Sequence, residues 1–95
     1  MTGKIRIPIK VAAAASRGAP VTVTWASAPL SGYRYDVQVR LPGSSTWTNW
    51  RANATTMRAD YTPALTGSFA FRARLEQLSN GANSAWSLVA SVSVS

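Results

Sequence analysis

Residues 33–41 alternate between apolar and polar without a break: Tyr33, Tyr35, Val37, Val39 and Leu41 fall on one side, Arg34, Asp36, Gln38 and Arg40 on the other. Successive side chains of an extended strand point to opposite faces, so a period of two specifies a strand with one buried face and argues against an amphipathic helix. The pattern recurs along the chain. Residues 21–25 turn Val21, Val23 and Trp25 inward, and residues 56–61 do the same with Met57, Ala59 and Tyr61. Residues 67–77 place Phe69, Phe71, Ala73 and Leu75 inward, with Arg72, Arg74 and Glu76 outward. A shorter run spans residues 46–51, and a final one, residues 84–95, carries Trp86, Leu88, Ala90, Val92 and Val94 on one side.

Turn chemistry separates these runs: Ala28, Pro29 and Gly32, then Pro42 to Ser45, then Asn80-Gly81, whose dipeptide is a strong hairpin cue. At the N-terminus, residues 4–11 align Ile5, Ile7, Ile9 and Val11, and Pro8, which has no N–H to give a ladder, assigns that strand to a sheet edge. Residues 12–20 read as a loop or irregular edge, because four alanines cannot sustain a helix and Gly18 and Pro20 break one. Seven short strand-like runs with turns between them predict an all-β fold, a single seven-stranded antiparallel β-sandwich. One domain would then fill residues 1–95, with 1–19 as an N-terminal arm and edge strand and 20–95 as the core sandwich.

With 46% hydrophobic and 14% charged residues, a chain of 95 residues can build one modest core and lacks the composition of a disordered segment. It has no cysteine, so packing and sheet hydrogen bonds must hold it. Ten Lys or Arg against three acidic residues give a net charge of +7, which favours anionic partners. The basic residues are spread from Lys4 to Arg74, not gathered in one helix or arm, which points away from specific nucleic-acid binding. The apolar stretch from Val11 to Ala15 is shorter than the roughly 7–15 residues of a secretion signal's core. No apolar run is long enough to cross a bilayer as a helix. The expectation is neither membrane insertion nor export by the usual signal.

The inventory of reactive groups is thin. There is no His and no Cys, and the acidic residues are Asp36, Asp60 and Glu76 alone. General acid–base catalysis, nucleophilic catalysis and metal ligation each need a cluster of such groups, and phosphate cradling needs a Gly-rich loop that is not present. The chain therefore reads as a non-enzyme with no catalytic residue, cofactor or metal. Asp36 and Glu76, flanked by arginines on outward-facing positions, read as ion-pairing groups. Asn53-Ala54-Thr55 matches a glycosylation sequon, a three-residue signal of low specificity.

In order and spacing, several segments resemble the fibronectin type III family. They are Val21-Thr22-Val23-Thr24-Trp25, the run from Tyr33 to Arg40, Phe69-Ala70-Phe71-Arg72-Ala73-Arg74, and Asn80-Gly81 leading to Trp86-Ser87. The resemblance covers residues 20–94 and implies an immunoglobulin-like sandwich. It departs at one point: a corner tyrosine is usual where Phe69 stands, and phenylalanine has no hydroxyl to bond the backbone. The family also implies that arginines next to a Trp-Ser on the last strand stack on the indole, here Arg72 and Arg74 on Trp86.

Fold alone does not name a function, but the surface offers candidates. Trp47 and Trp50 lie three apart, so one should pack inward and the other lie on the surface beside Arg51. An exposed tryptophan can anchor a protein interface or stack on a sugar. Lys4, Arg6 and Lys10 on the edge strand complete the candidate interaction surface with Trp47, Trp50, Arg51, Arg72, Arg74 and Trp86. A one-domain sandwich of this family without a secretion signal leads to the expectation of a structural protein of a phage virion. It would be a decoration protein docking in many copies on capsid or tail subunits. The alternative is a module of a secreted multidomain protein, extracellular, with weak polysaccharide binding.

Overall fold

A computed structural model describes residues 9–25, 31–83, 86–87 and 89–95. Its spine is the pair of long alternating strands. β3 (Tyr33–Arg40) runs antiparallel to β6 (Gly67–Gln77) from Tyr33 opposite Gln77 to Arg40 opposite Ala70 without a slip. That register sets Tyr35 beside Leu75, Val37 beside Ala73 and Val39 beside Phe71, all buried on one face. β7 (Ala90–Val94) flanks β6, and β4 (Thr48–Ala54) flanks β3. The two-residue β1 (Ala14–Ala15) sits beyond β7, completing a five-stranded sheet in the order β1-β7-β6-β3-β4. A second layer pairs β2 (Val21–Thr24) with β5 (Arg58–Tyr61).

Between the layers lies an apolar core in which Trp25, Val23, Val37, Phe69, Phe71 and Val92 are all under 2% exposed. Full burial of each such side chain contributes about 1.5–3 kcal/mol, so the core is the main source of stability. Trp25 brings one polar atom into it, and its Nε1–H donates to the Thr56 carbonyl at 2.9 Å, removing the cost of burying that group bare. Tyr61 of β5 reaches across the sandwich, its ring edge-on to Phe69 and Phe71 at 5.6 and 5.3 Å. Phe69 itself is buried, so the corner position is filled by packing and makes no hydroxyl bond.

Several expectations need correction. Most of the expected edge strand, residues 4–8 with Pro8, Lys4 and Arg6, lies outside the described residues, as do residues 28–30 of the expected turn and Leu88 of the last strand. From residue 9 the chain does two different things. Lys10 exchanges both backbone hydrogen bonds with Thr24, at 2.8 and 2.9 Å, in the two-stranded layer. A few residues later Ala14 and Ala15 pair with Ser93 and Val94 in the other layer. The segment expected to be a loop or irregular edge thus holds the short edge strand. A chain that changes sheet without reversing must accept the direction of its new neighbour. Ala14–Ala15 consequently runs parallel to β7, and the sheet is mixed, not wholly antiparallel.

Leu41, expected inward, is 39% exposed, because β3 ends at Arg40 and the Leu41 carbonyl closes the next turn by accepting from the Ser44 N–H. The fourth strand lies at Thr48–Ala54, later than residues 46–51, and is bulged twice against β3. Asn53 takes φ 54° there, a left-handed conformation that asparagine tolerates better than most residues.

The last strand breaks its alternation. Ala90 lies opposite Phe71, but Ser87 bonds Ala73, donating its N–H to the Ala73 carbonyl at 2.7 Å and accepting from the Ala73 N–H on Oγ at 3.0 Å. Three steps along one strand therefore match two on the other. The extra residue flips the phase, so Ser87 is buried and Trp86 turns to the outer face, away from Val92 and Val94.

Candidate interaction surface

The outer face of the five-stranded sheet carries the site. Positions 70, 72 and 74 of β6 lie opposite Arg40, Gln38 and Asp36 of β3, so Arg40, Arg72 and Arg74 follow one another along the strand direction in two-residue steps. Like charges at such spacing repel, yet here indole rings stand between them. The Arg72 guanidinium lies 4.4 Å from the Trp47 ring centre and 4.3 Å from that of Trp86. Arg74 lies 4.5 Å from Trp86, and Arg40 lies 5.0 Å from Trp47. The series reads Arg40, Trp47, Arg72, Trp86, Arg74. Each contact contributes about 0.5–1 kcal/mol where water reaches it. Two guanidiniums this close to one ring centre need its two faces, since sharing one would force them together.

Hydrogen bonds fix the row in the sheet plane. Arg72 Nε donates to Gln38 Oε1 at 2.8 Å, and Gln38 Nε2 donates to Asn49 Oδ1 at 2.9 Å. Arg74 Nε pairs with Asp36 Oδ2 at 3.1 Å, while the N–H of the bulged Asn53 donates to Asp36 Oδ1 at 3.2 Å. The second bulge of β4 thus has a use, holding the carboxylate that anchors one end of the row. Partial burial first, and then the charges of Arg74 and Arg40, lower the pKa of Arg72 from the ordinary guanidinium value. The row keeps uncompensated positive charge at its centre.

Of the candidate residues, Trp47, Arg72, Arg74 and Trp86 come together in this row. Trp50 does not. It turns inward, half-buried, within 6.1 Å of Trp25, 5.3 Å of Tyr61 and 5.6 Å of Phe71 between ring centres. Arg51 covers Trp50 at 5.1 Å, apart from the row. Lys10 is exposed on the segment that bridges to β2. Arg40, Gln38 and Asn49 were not among the candidates, although the alternation of residues 33–41 already placed Arg40 and Gln38 outward. Only the β3–β6 register shows that they share a row with Arg72. The three carboxylates are dispersed: Asp36 serves Arg74, Glu76 lies opposite Arg34, and Asp60 accepts from Thr22 Oγ1 at 2.8 Å in the other layer.

No protein-family model matches the chain, and no curated protein matches it in sequence. Solved structures do match in fold. A fibronectin type III-like protein from Clostridium thermocellum superposes with a TM-score of 0.64 at 18% identity, over 93% of this chain and 88% of that one. The PKD domain of an M14-like peptidase from Thermoplasmatales archaeon SCGC AB-540-F20 gives 0.60 at 14% identity, over 93% and 91%. The FN1–FN3 domains of chicken CNTN1 give 0.60 at 17% identity, over 99% of this chain and 35% of that one. The architecture is an immunoglobulin-like β-sandwich. Within that class the chain has a fibronectin type III-like fold.

Proposed function

We propose that this chain is a non-enzymatic binding and structural module whose working surface is the arginine–tryptophan face of the five-stranded sheet. The observation that carries the reading is the row itself. Three guanidiniums are held in fixed positions by rings and amides, and only Arg74 has a carboxylate beside it in the described residues. Such a surface is preorganised for contact, so ordering it on binding costs little. In its most specific form the module is an accessory protein of a phage virion, present in many copies and docking by its basic face on acidic capsid or tail subunits.

A second reading has its own support. One fold neighbour is a domain of a peptidase and another is part of a three-domain series. The chain would then be a module of a secreted multidomain protein. The two readings separate by fractionation of the source with an antibody to this chain. Signal at the size of the bare chain in the sedimenting particle fraction, released by high salt, is expected of the docking protein. Signal in the medium at a much larger size would establish the module of a secreted protein. Signal only as a free small protein would remove both.

A further inference from the structure

We propose that Arg40, Arg72 and Arg74 form a docking strip for an acidic segment of a partner protein, bound in extended conformation along β6. The inference rests on the binding-module reading and gives its partner a chemistry. Geometry is the first support. Along the strand direction the three positions succeed one another in two-residue steps of about 6.5–7 Å, with Arg72 and Arg74 on β6 and Arg40 one strand over on β3. An extended peptide spaces its alternate side chains at the same pitch, so carboxylates at every second residue meet successive guanidiniums.

Unused hydrogen-bonding capacity is the second support. The guanidinium carbons lie 4.3–5.0 Å from indole centres, while carboxylate recognition uses the in-plane N–H edges, two parallel bonds at a time. Among the described residues Arg40 and Arg72 form no ion pair, and Arg72 commits Nε to Gln38. An incoming carboxylate would also relieve the mutual repulsion that the row carries.

The same arrangement disfavours the other polyanions. Single-stranded nucleic acid gains much of its affinity by stacking bases on aromatic faces. Here Trp47 has Arg40 and Arg72 against it, and Trp86 has Arg72 and Arg74. A sugar ring would need those faces too.

The test is calorimetric titration of the whole chain with a synthetic peptide alternating Asp and Thr. The comparisons are a peptide of the same residues in block order and an oligothymidylate of equal charge. Saturable binding is expected, tighter for the alternating peptide than for either control and weakened by salt. Arg40→Gln and Arg72→Gln should each weaken it about fivefold, the order expected for one exposed charge pair. Arg58→Gln, on the two-stranded layer, should change it less than about twofold if the strip and not net charge is read. Arg72 is built into the row, so if its variant unfolds, Arg40→Gln and Arg40→Glu at the end of β3 decide. Absence of saturable binding, equal loss in Arg58→Gln, or preference for the block peptide would overturn the strip. Tighter binding of the oligothymidylate would overturn it in favour of a nucleic-acid surface. A chain that fails here yet still sediments with particles refutes the strip alone, whereas a chain found only free refutes the module reading itself.

Discussion

The inner and outer faces of β6 are made by alternate residues of one strand, yet they are held by different forces. Inward, Phe69, Phe71, Ala73 and Leu75 are at most 4% exposed and belong to the apolar core cluster. Outward, Arg72 and Arg74 remain partly exposed and are organised by rings, amides and one carboxylate. Area removed from water decides the first face, and directional contacts worth about a kilocalorie each decide the second. The lesson is a division of labour. Stability resides on the inside, so the outside is free to carry a charged arrangement.

The largest break in that comparison is Phe71→Ala. The ring is fully buried and meets Trp50 and Tyr61 at 5.6 and 5.3 Å, so truncation removes its transfer energy and leaves a cavity. A loss of about 3–5 kcal/mol is expected. A domain of this length has a total stability of only about 5–15 kcal/mol. Urea unfolding should show a transition at much lower denaturant or none, and a loss below about 1 kcal/mol would contradict the assignment of stability to this face.

Trp86→Ala addresses the other side. It removes two guanidinium–indole contacts, at 4.3 and 4.5 Å, without opening the apolar core. About 1–2 kcal/mol should be lost, well short of the Phe71 effect. The same unfolding measurement checks it, and a cost equal to that of Phe71→Ala would mean that the two faces are not energetically distinct.

How far these faces could be read from the residues follows the same division. The inward set of β6, its bounds at Gly67 and Gln77, and the opposite placement of Trp47 and Trp50 were legible, because strand periodicity is local. The position of Trp86 could not be read from periodicity, and only the family resemblance set it beside Arg72 and Arg74, where the structure has it. Its face depends on one extra residue between Ser87 and Ala90, and a bulge is a property of two paired strands. Arg40 escaped for a related reason, since its place in the row comes from standing opposite Ala70. The sheet change after Lys10 also lay out of reach, because alanines at residues 12–15 carry no alternation to reveal an edge strand.

A smaller effect is expected at the anchored end of the row. Arg74 and Asp36 are 30% and 15% exposed, and the pair is held by the Asn53 N–H as well. A double-mutant cycle with Arg74→Gln and Asp36→Asn should give a coupling of about 0.5–1 kcal/mol at low salt, shrinking as salt is added. A coupling near zero would make Asp36 a bystander and leave the Trp86 ring as the organiser of Arg74.

Base titration sharpens the comparison most finely, because it acts on the two faces with opposite sign. Burial raises the pKa of Tyr35 and Tyr61, which face the core, so the folded chain holds their protons more tightly than the unfolded one. Their contribution is intact at neutral pH and is lost as pH rises from about 10, the ordinary phenol value, through the raised folded values. Arg72 on the outer face is shifted down by burial and by Arg74 and Arg40, so the folded chain binds that proton less tightly. Its term moves the other way, adding stability as pH climbs between its lowered value and the ordinary guanidinium range. Because the phenol window opens first, the melting temperature should fall above about pH 10, and Tyr61→Phe should make the fall shallower while leaving neutral-pH stability nearly unchanged. Arg72→Gln should not lessen that fall. If Tyr61→Phe left the alkaline slope untouched and Arg72→Gln removed it, alkaline sensitivity would belong to the row and not to the core.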